Sequence, residues 1–194
     1  MTSDRLVSHL LTICDLRRRD RTLPDAETLK LLGGALVGRL GLSRDDQPYI
    51  VPVNFAFKDG HVYVHCAETG MKIDFLRANS KVCFEVDGRI GTVAEPVICD
   101  YDTAYRSVIV LGRARLLMDL QEKTDAMRLI AVKYAFGKDA EAARKLSSAT
   151  VDEYRSSLGS LTSVIDVTVE RLTGKHYGTE ATELGTHAIL HRDR

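Results

Sequence analysis

The chain has 194 residues, 44% of them hydrophobic, which suffices for one sizeable core and points to a single domain over 1–194. Lysine plus arginine and aspartate plus glutamate both number 27, so the net charge is zero and the basic excess of a nucleic-acid binder is missing. No apolar run reaches the length of a membrane span, Met1-Thr2-Ser3-Asp4-Arg5 has no secretory pattern, and Cys14, Cys66, Cys83 and Cys99 lack CxxC spacing; a cytoplasmic protein with reduced thiols and no metal site is expected.

Residues 4–13 and 25–32 read as helical or extended around a basic run, Arg17-Arg18-Arg19-Asp20-Arg21. That run is a solvated surface, or else places one arginine on a cofactor or a partner subunit. Gly34 to Leu42 reads as a first strand. Its glycines form neither GxGxxG nor GxxxxGK[ST], so they mark bends or close backbone approach rather than a nucleotide fingerprint. Ser43 to Pro48 is a polar turn. From Tyr49 to Phe57 every odd position is bulky and apolar, the period of a half-buried strand. Pro52 lacks a backbone donor and so belongs at an edge, at a bulge, or where a ligand replaces a partner strand. Lys58-Asp59-Gly60 supplies a tight hairpin turn, and the return strand is His61 to Ala67. Val62, Val64 and Cys66 face one way on it; His61, Tyr63 and His65 face the other.

After Ala67 the period changes to that of a helix, with Met71 and Phe75 four apart and Ile73 and Leu76 three apart. Thr69 is the expected N-cap. Free N–H groups in the first turn and the positive end of the helix dipole favour an anion there. Gly70 permits close approach, and Lys72 adds a flexible positive charge. Taken alone, the same pattern also describes a short connecting helix with a solvated lysine.

Lys81 to Asp87 is a strand with Val82, Phe84 and Val86 on one face, and Gly88 to Thr103 is turn-rich. Tyr105 to Leu117 reads as a long strand, apolar on both faces at Val108-Ile109-Val110-Leu111 and therefore central. Asp119 and Glu122 form a capping-box-like pair opening a helix to about Phe136, closed by Gly137. A helical or loop segment covers 139–158. Leu161 to Val169 is the last strand, with Leu161, Ile165, Val167 and Val169 on one side, and 170–194 is polar. This order lacks βαβ alternation. It predicts a mainly β (α+β) fold: an antiparallel split β-barrel with flanking helices.

The segments PYIVPVNFAF, VYVHCAETGMKIDFLRANSKVCFEVD and YRSVIVLGRARLL resemble the pyridoxamine 5′-phosphate oxidase-like split-barrel family. Within it they are most similar to the FMN-binding, nitroimidazole-resistance-type group. The resemblance covers Arg17 to Gly174, with 175–194 as a polar tail. It implies an FMN cofactor and a two-fold homodimer with flavin sites at the interface. By position, Val51, Pro52, Val53 and Asn54 would line the flavin ring, and His65, Cys66 and Ala67 would lie along the ring and ribityl chain. Gly70, Met71 and Lys72 would hold the phosphate, and Ser107 would reach the flavin across the dimer.

Two departures from the family pattern stand out. Met71 occupies the place of the arginine that helps clamp the phosphate in the true oxidases. The C-terminal arginine-and-histidine substrate signature is also lacking, with Lys175 and His176 near it in order only. The resemblance therefore implies flavin chemistry more than vitamin B6 oxidation. His61 and His65 lie about 13 Å apart on a strand, too far to share a metal. His65 is the one candidate for an acid–base role, Cys66 faces the core, and Ser107 has no sequence-evident base. The expected function is an FMN-dependent oxidoreductase that passes electrons from NAD(P)H to a small electrophile such as a nitroaromatic, with no nucleic-acid or membrane partner. The alternatives are a non-catalytic flavin- or haem-binding protein and a deazaflavin-dependent reductase.

Overall fold

The computed structural model describes residues 17–94, 97–135, 138–155, 159–178 and 188–191. Among them are eight strands: β1 Gly38–Arg44, β2 Gln47–Val53, β3 Ala56–Lys58, β4 His61–Ala67, β5 Lys81–Ala94, β6 Asp102–Leu116, β7 Thr162–Tyr177 and β8 Ala188–His191. Five α-helices accompany them: α1 Asp25–Gly34, α2 Met71–Ala78, α3 Leu120–Tyr134, α4 Lys138–Arg144 and α5 Ser148–Glu153. The strands form one sheet in the order β2-β1-β5-β6-β7-β4-β3, with β8 added to β5. Every pairing is antiparallel except β5 with β8.

β2 and β3 stand at opposite ends of this order, yet only Asn54 and Phe55 separate them in the chain. The sheet must therefore curl until its two edges meet, which gives a barrel split along that seam. Inside lie Leu40, Val62, Val64, Val86, Val108, Val110, Ile165 and Val167, all fully buried. The Phe55 and Phe84 rings meet edge-on with centroids 4.7 Å apart, a favoured aromatic arrangement. β6 lies between β5 and β7, as its two-sided apolar run predicts. Pro52 is on the edge strand β2, where its missing N–H costs no ladder bond.

The local turn chemistry follows the sequence. Asp59 and Gly60 take φ of 50° and 81° in the β3–β4 turn. The Asp119 side chain accepts a hydrogen bond from the Glu122 N–H at 2.9 Å and opens α3. Phe136 and Gly137, expected to close that helix, lie outside the described residues, as do 4–13 and Cys14.

Several boundaries differ from the sequence reading. Residues 49–57 are two strands, because the Phe55 backbone is bonded to the Tyr134 hydroxyl instead of a ladder partner. Gly34, expected to open the first strand, ends helix α1 instead, so β1 starts at Gly38. The polar turn shrinks to Asp45 and Asp46, both at positive φ. β5 continues to Ala94, and a 3-10 turn at Ile98–Asp100 occupies part of the segment read as loop. β7 runs on to Tyr177 with Leu172 and Gly174 buried, and β8 lies inside the stretch read as a polar tail. Glu170 is the extra residue of a bulge opposite Leu111 and Gly112. No helix of the described residues is long and apolar enough to cross a membrane.

Candidate functional site

Two constellations stand out, one at the start of α2 and one where β1 leaves β5. The first is built by the chain leaving β4. Gly70, at φ 116°, caps α2, and the Ile73 and Asp74 N–H groups bond its carbonyl at 2.9 and 3.1 Å. Thr69 is therefore not the cap: the turn is made by a backbone conformation that favours glycine, and no side chain caps the helix. A Cβ at Gly70 would meet nothing within 4 Å, so this corner is open. The N–H groups of Met71 and Lys72 begin the helix and point at that opening.

Lys72 is half-buried and has no ion-pair partner among the described residues. Its charge is felt nearby. Partial burial and the Lys72 ammonium together lower the pKa of His65, whose ring nonetheless reaches solvent. Burial raises the Cys66 thiol, with Lys72 opposing it, and Cys66 packs on the core. An uncompensated ammonium, free helix N–H groups and a glycine corner fit a phosphate ester.

The remaining residues singled out in the sequence fall in two places. Val51 and Val53 point inward from β2, while Pro52 and Asn54 are exposed. Val51 to Asn54 thus run along the edge strand to the seam, while His65 to Ala67 lead directly into the Gly70 to Lys72 turn that opens α2. Ser107 lies apart from His65. It pairs with Asp87 and Lys175, at the far end of β7 from Val164, the partner of His65. His61 is engaged elsewhere: its Nδ1 lies 2.7 Å from Oδ1 of the buried Asp166, whose Oδ2 accepts from Arg115 Nε at 3.1 Å.

The second constellation escaped sequence reasoning, because its residues come from separate elements with no shared motif. β1 pairs with β5 only through Arg39–Gly41 and Cys83–Glu85, and β8 takes up the same edge at Gly91. Between them β5 has no strand partner on that side among the described residues, and a cavity of about 550 Å³ opens against the end of α1. Arg39 Nη1 donates to Glu85 Oε2 at 3.0 Å and to Asp87 Oδ1 at 2.5 Å across its mouth. Arg106 also lines the cavity. Its Nε is buried without a hydrogen-bond partner among the described residues, and Glu27 stands 3.7 Å from its Nη2.

Comparison with known proteins places these observations. The pyridoxamine 5′-phosphate oxidase family matches residues 24–176. A FAD-binding protein from Mesorhizobium loti is 29% identical, covers 81% of this chain and 98% of its own, and superposes with a TM-score of 0.53. A candidate 5-nitroimidazole antibiotic resistance protein from Bacteroides thetaiotaomicron shares the fold at 24% identity and a TM-score of 0.58, over 78% of this chain and 83% of its own. An uncharacterized Rhizobium meliloti protein is 35% identical over 66 residues, which are 34% of this chain and 43% of that relative's length. The family match spans most of the chain, and the strand order and split seam agree with it: the chain belongs to the pyridoxamine 5′-phosphate oxidase family.

Proposed function

We propose that the protein binds FMN and acts as an oxidoreductase on a small electrophile such as a nitroaromatic, with NAD(P)H as electron source. The observation that carries this reading is the cradle at the start of α2, where Lys72 and the first-turn N–H groups face an open glycine corner without an anion partner among the described residues. The likeness to a FAD-binding protein at 29% identity supports a flavin. When bound, the flavin supplies hydride chemistry between the nicotinamide and the electrophile. The chain's own residues hold and shield it. Lys72 and the Met71 and Lys72 N–H groups bind the phosphate, and Val51 to Asn54 and His65 line the ring. With its pKa lowered, His65 is largely uncharged at neutral pH and can lie against an uncharged ring system.

The protein works as a homodimer in this reading. Ile50, Ile109 and Leu111 are 68%, 43% and 42% exposed. The register lines up Ile50, Gly41, Cys83 and Leu111 in one row across the outer face of the sheet. Ser107 stands on that same outer face, and in this reading it reaches the flavin of the second copy.

The test is flavin titration of the purified apoprotein, followed by visible absorbance. FMN binds, Lys72→Ala weakens it about tenfold or more, and riboflavin, which lacks the phosphate, is held equally by both forms. FAD titrated in parallel identifies the preferred nucleotide. A protein that binds neither FMN nor FAD overturns the reading.

A further inference from the structure

We propose that the cavity between α1 and the unpaired stretch of β5 seats the electron acceptor, and that it selects a small molecule with an apolar body and one carboxylate or similar anionic group, anchored by Arg106. The proposal rests on the flavin reading above for the acceptor's role, but the anion site rests on the cavity itself.

Three observations carry it. First, about 550 Å³ is the size of a small-molecule pocket. Its walls combine the apolar Leu31, Leu36 and Val37 with a few charged groups. Leu36 and Val37 are 58% and 48% exposed, as a wall that awaits a ligand would be.

Second, the charges are unequal in their partners. Arg39 is neutralised by Glu85 and Asp87. Among the described residues Arg106 has only Glu27 at 3.7 Å, beyond hydrogen-bond length, and its buried Nε has no hydrogen-bond partner. A guanidinium whose Nε is buried and whose other donors open toward the cavity favours a planar anion that can take two bonds. Gly88, opposite Arg106 on β5, leaves room: a Cβ there meets nothing within 4 Å.

Third, the cavity wall and the predicted ring-lining segment are one piece of structure. Arg39 pairs with Pro52 and Gly38 with Val53 across β1 and β2. The Tyr134 hydroxyl ties the Leu36 carbonyl to the Phe55 backbone. A molecule against Leu36 to Arg39 is therefore one strand away from Val51 to Asn54, on the side from which an acceptor would approach a ring held there.

The test uses benzoate, an anionic aromatic that cannot accept electrons, with benzamide as its neutral counterpart. Calorimetry measures both on flavin-loaded protein, and the visible band of the flavin is recorded as each is added. Benzoate binds the parent and perturbs the band. Arg106→Gln weakens benzoate at least tenfold, leaves benzamide nearly unchanged, and keeps FMN affinity within about twofold. Gly34→Leu provides a second route, because Gly34 lines the cavity and a Cβ there meets nothing within 4 Å. It blocks benzoate while retaining the Arg106 charge and the fold. Benzoate binding that neither substitution alters, or no benzoate binding to a flavin-loaded parent, overturns the cavity assignment and leaves the flavin reading intact. Substitution-sensitive benzoate binding in a protein that takes no flavin overturns the acceptor role instead.

Discussion

The Tyr134 hydroxyl accepts a hydrogen bond from the Phe55 N–H at 2.9 Å and donates to the Leu36 carbonyl at 2.5 Å. One oxygen on α3 thus ties the β2–β3 crossing at the seam to the lead-in of β1. Burial raises the phenol's pKa, so it stays a donor throughout the working pH range. Tyr134→Phe leaves the Phe55 N–H and the Leu36 carbonyl without that partner. It should cost about 2 kcal/mol of stability, read from urea midpoints. Flavin affinity should fall as well, because Val51 to Asn54 end at that crossing. An unchanged midpoint would remove Tyr134 from its role at the seam.

His65 should titrate below the ordinary 6.5 in the apoprotein, since partial burial and Lys72 both disfavour its charged form. The unfolded chain then takes up this proton at a higher pH than the native one, so acidification through that interval favours unfolding. A bound phosphate offsets the Lys72 charge, and the pKa should rise. NMR of the imidazole with and without FMN measures both values; a pKa that falls on binding contradicts the site.

Lys133 Nζ is buried without a hydrogen-bond partner among the described residues and sits 3.7 Å from the Phe55 ring centroid. Burial lowers its pKa from 10.5 to about 8. Lys133→Met keeps the stem over Phe55 and removes the unsatisfied ammonium. Thermal melts at pH 7 should show a gain of about 1 kcal/mol. Between pH 8 and 10.5 the unfolded chain holds this proton and the native one releases it, so parent stability on this account rises with pH and the gap to the variant narrows. A gap that widens over that interval would contradict the assignment.

Gly112 stands at the β6–β7 bulge, where a Cβ would come 2.2 Å from the Thr168 backbone carbonyl. Backbone cannot yield as a flexible side chain does. Gly112→Ala should cost about 3 kcal/mol, seen as a large drop in melting temperature. Gly33→Ala, with nothing within 4 Å of the new methyl, is the control and should melt at the parent temperature or above.

What the sequence made legible was chemistry between near neighbours. Asp59-Gly60 announced its turn, Asp119 and Glu122 their cap, and the alternation from Val62 to Cys66 its buried face. The seam was illegible because apolar odd positions continue unbroken from Tyr49 to Phe57, while the residue that interrupts the strand, Tyr134, lies 79 positions from Phe55. The strand character of residues 170–177 was hidden by their polarity, since Thr173 and Lys175 face outward and only Leu172 and Gly174 turn in. At the cradle, Gly70 to Lys72 could be read because the site is contiguous. The cavity could not, because Glu27, Arg39, Asp87 and Arg106 meet only after α1, β1, β5 and β6 have packed.

The pairing of β4 with β7 carries a kinetic consequence. The β5–β6 hairpin closes over a short stretch of chain, whereas His61 and Asp166 are 105 residues apart and touch only when β7 has docked on β4. Closing so long a loop is entropically slow relative to local pairing. The His61–Asp166 bond is therefore expected to form after the β5–β6 hairpin, closing the barrel wall from β5 through β4.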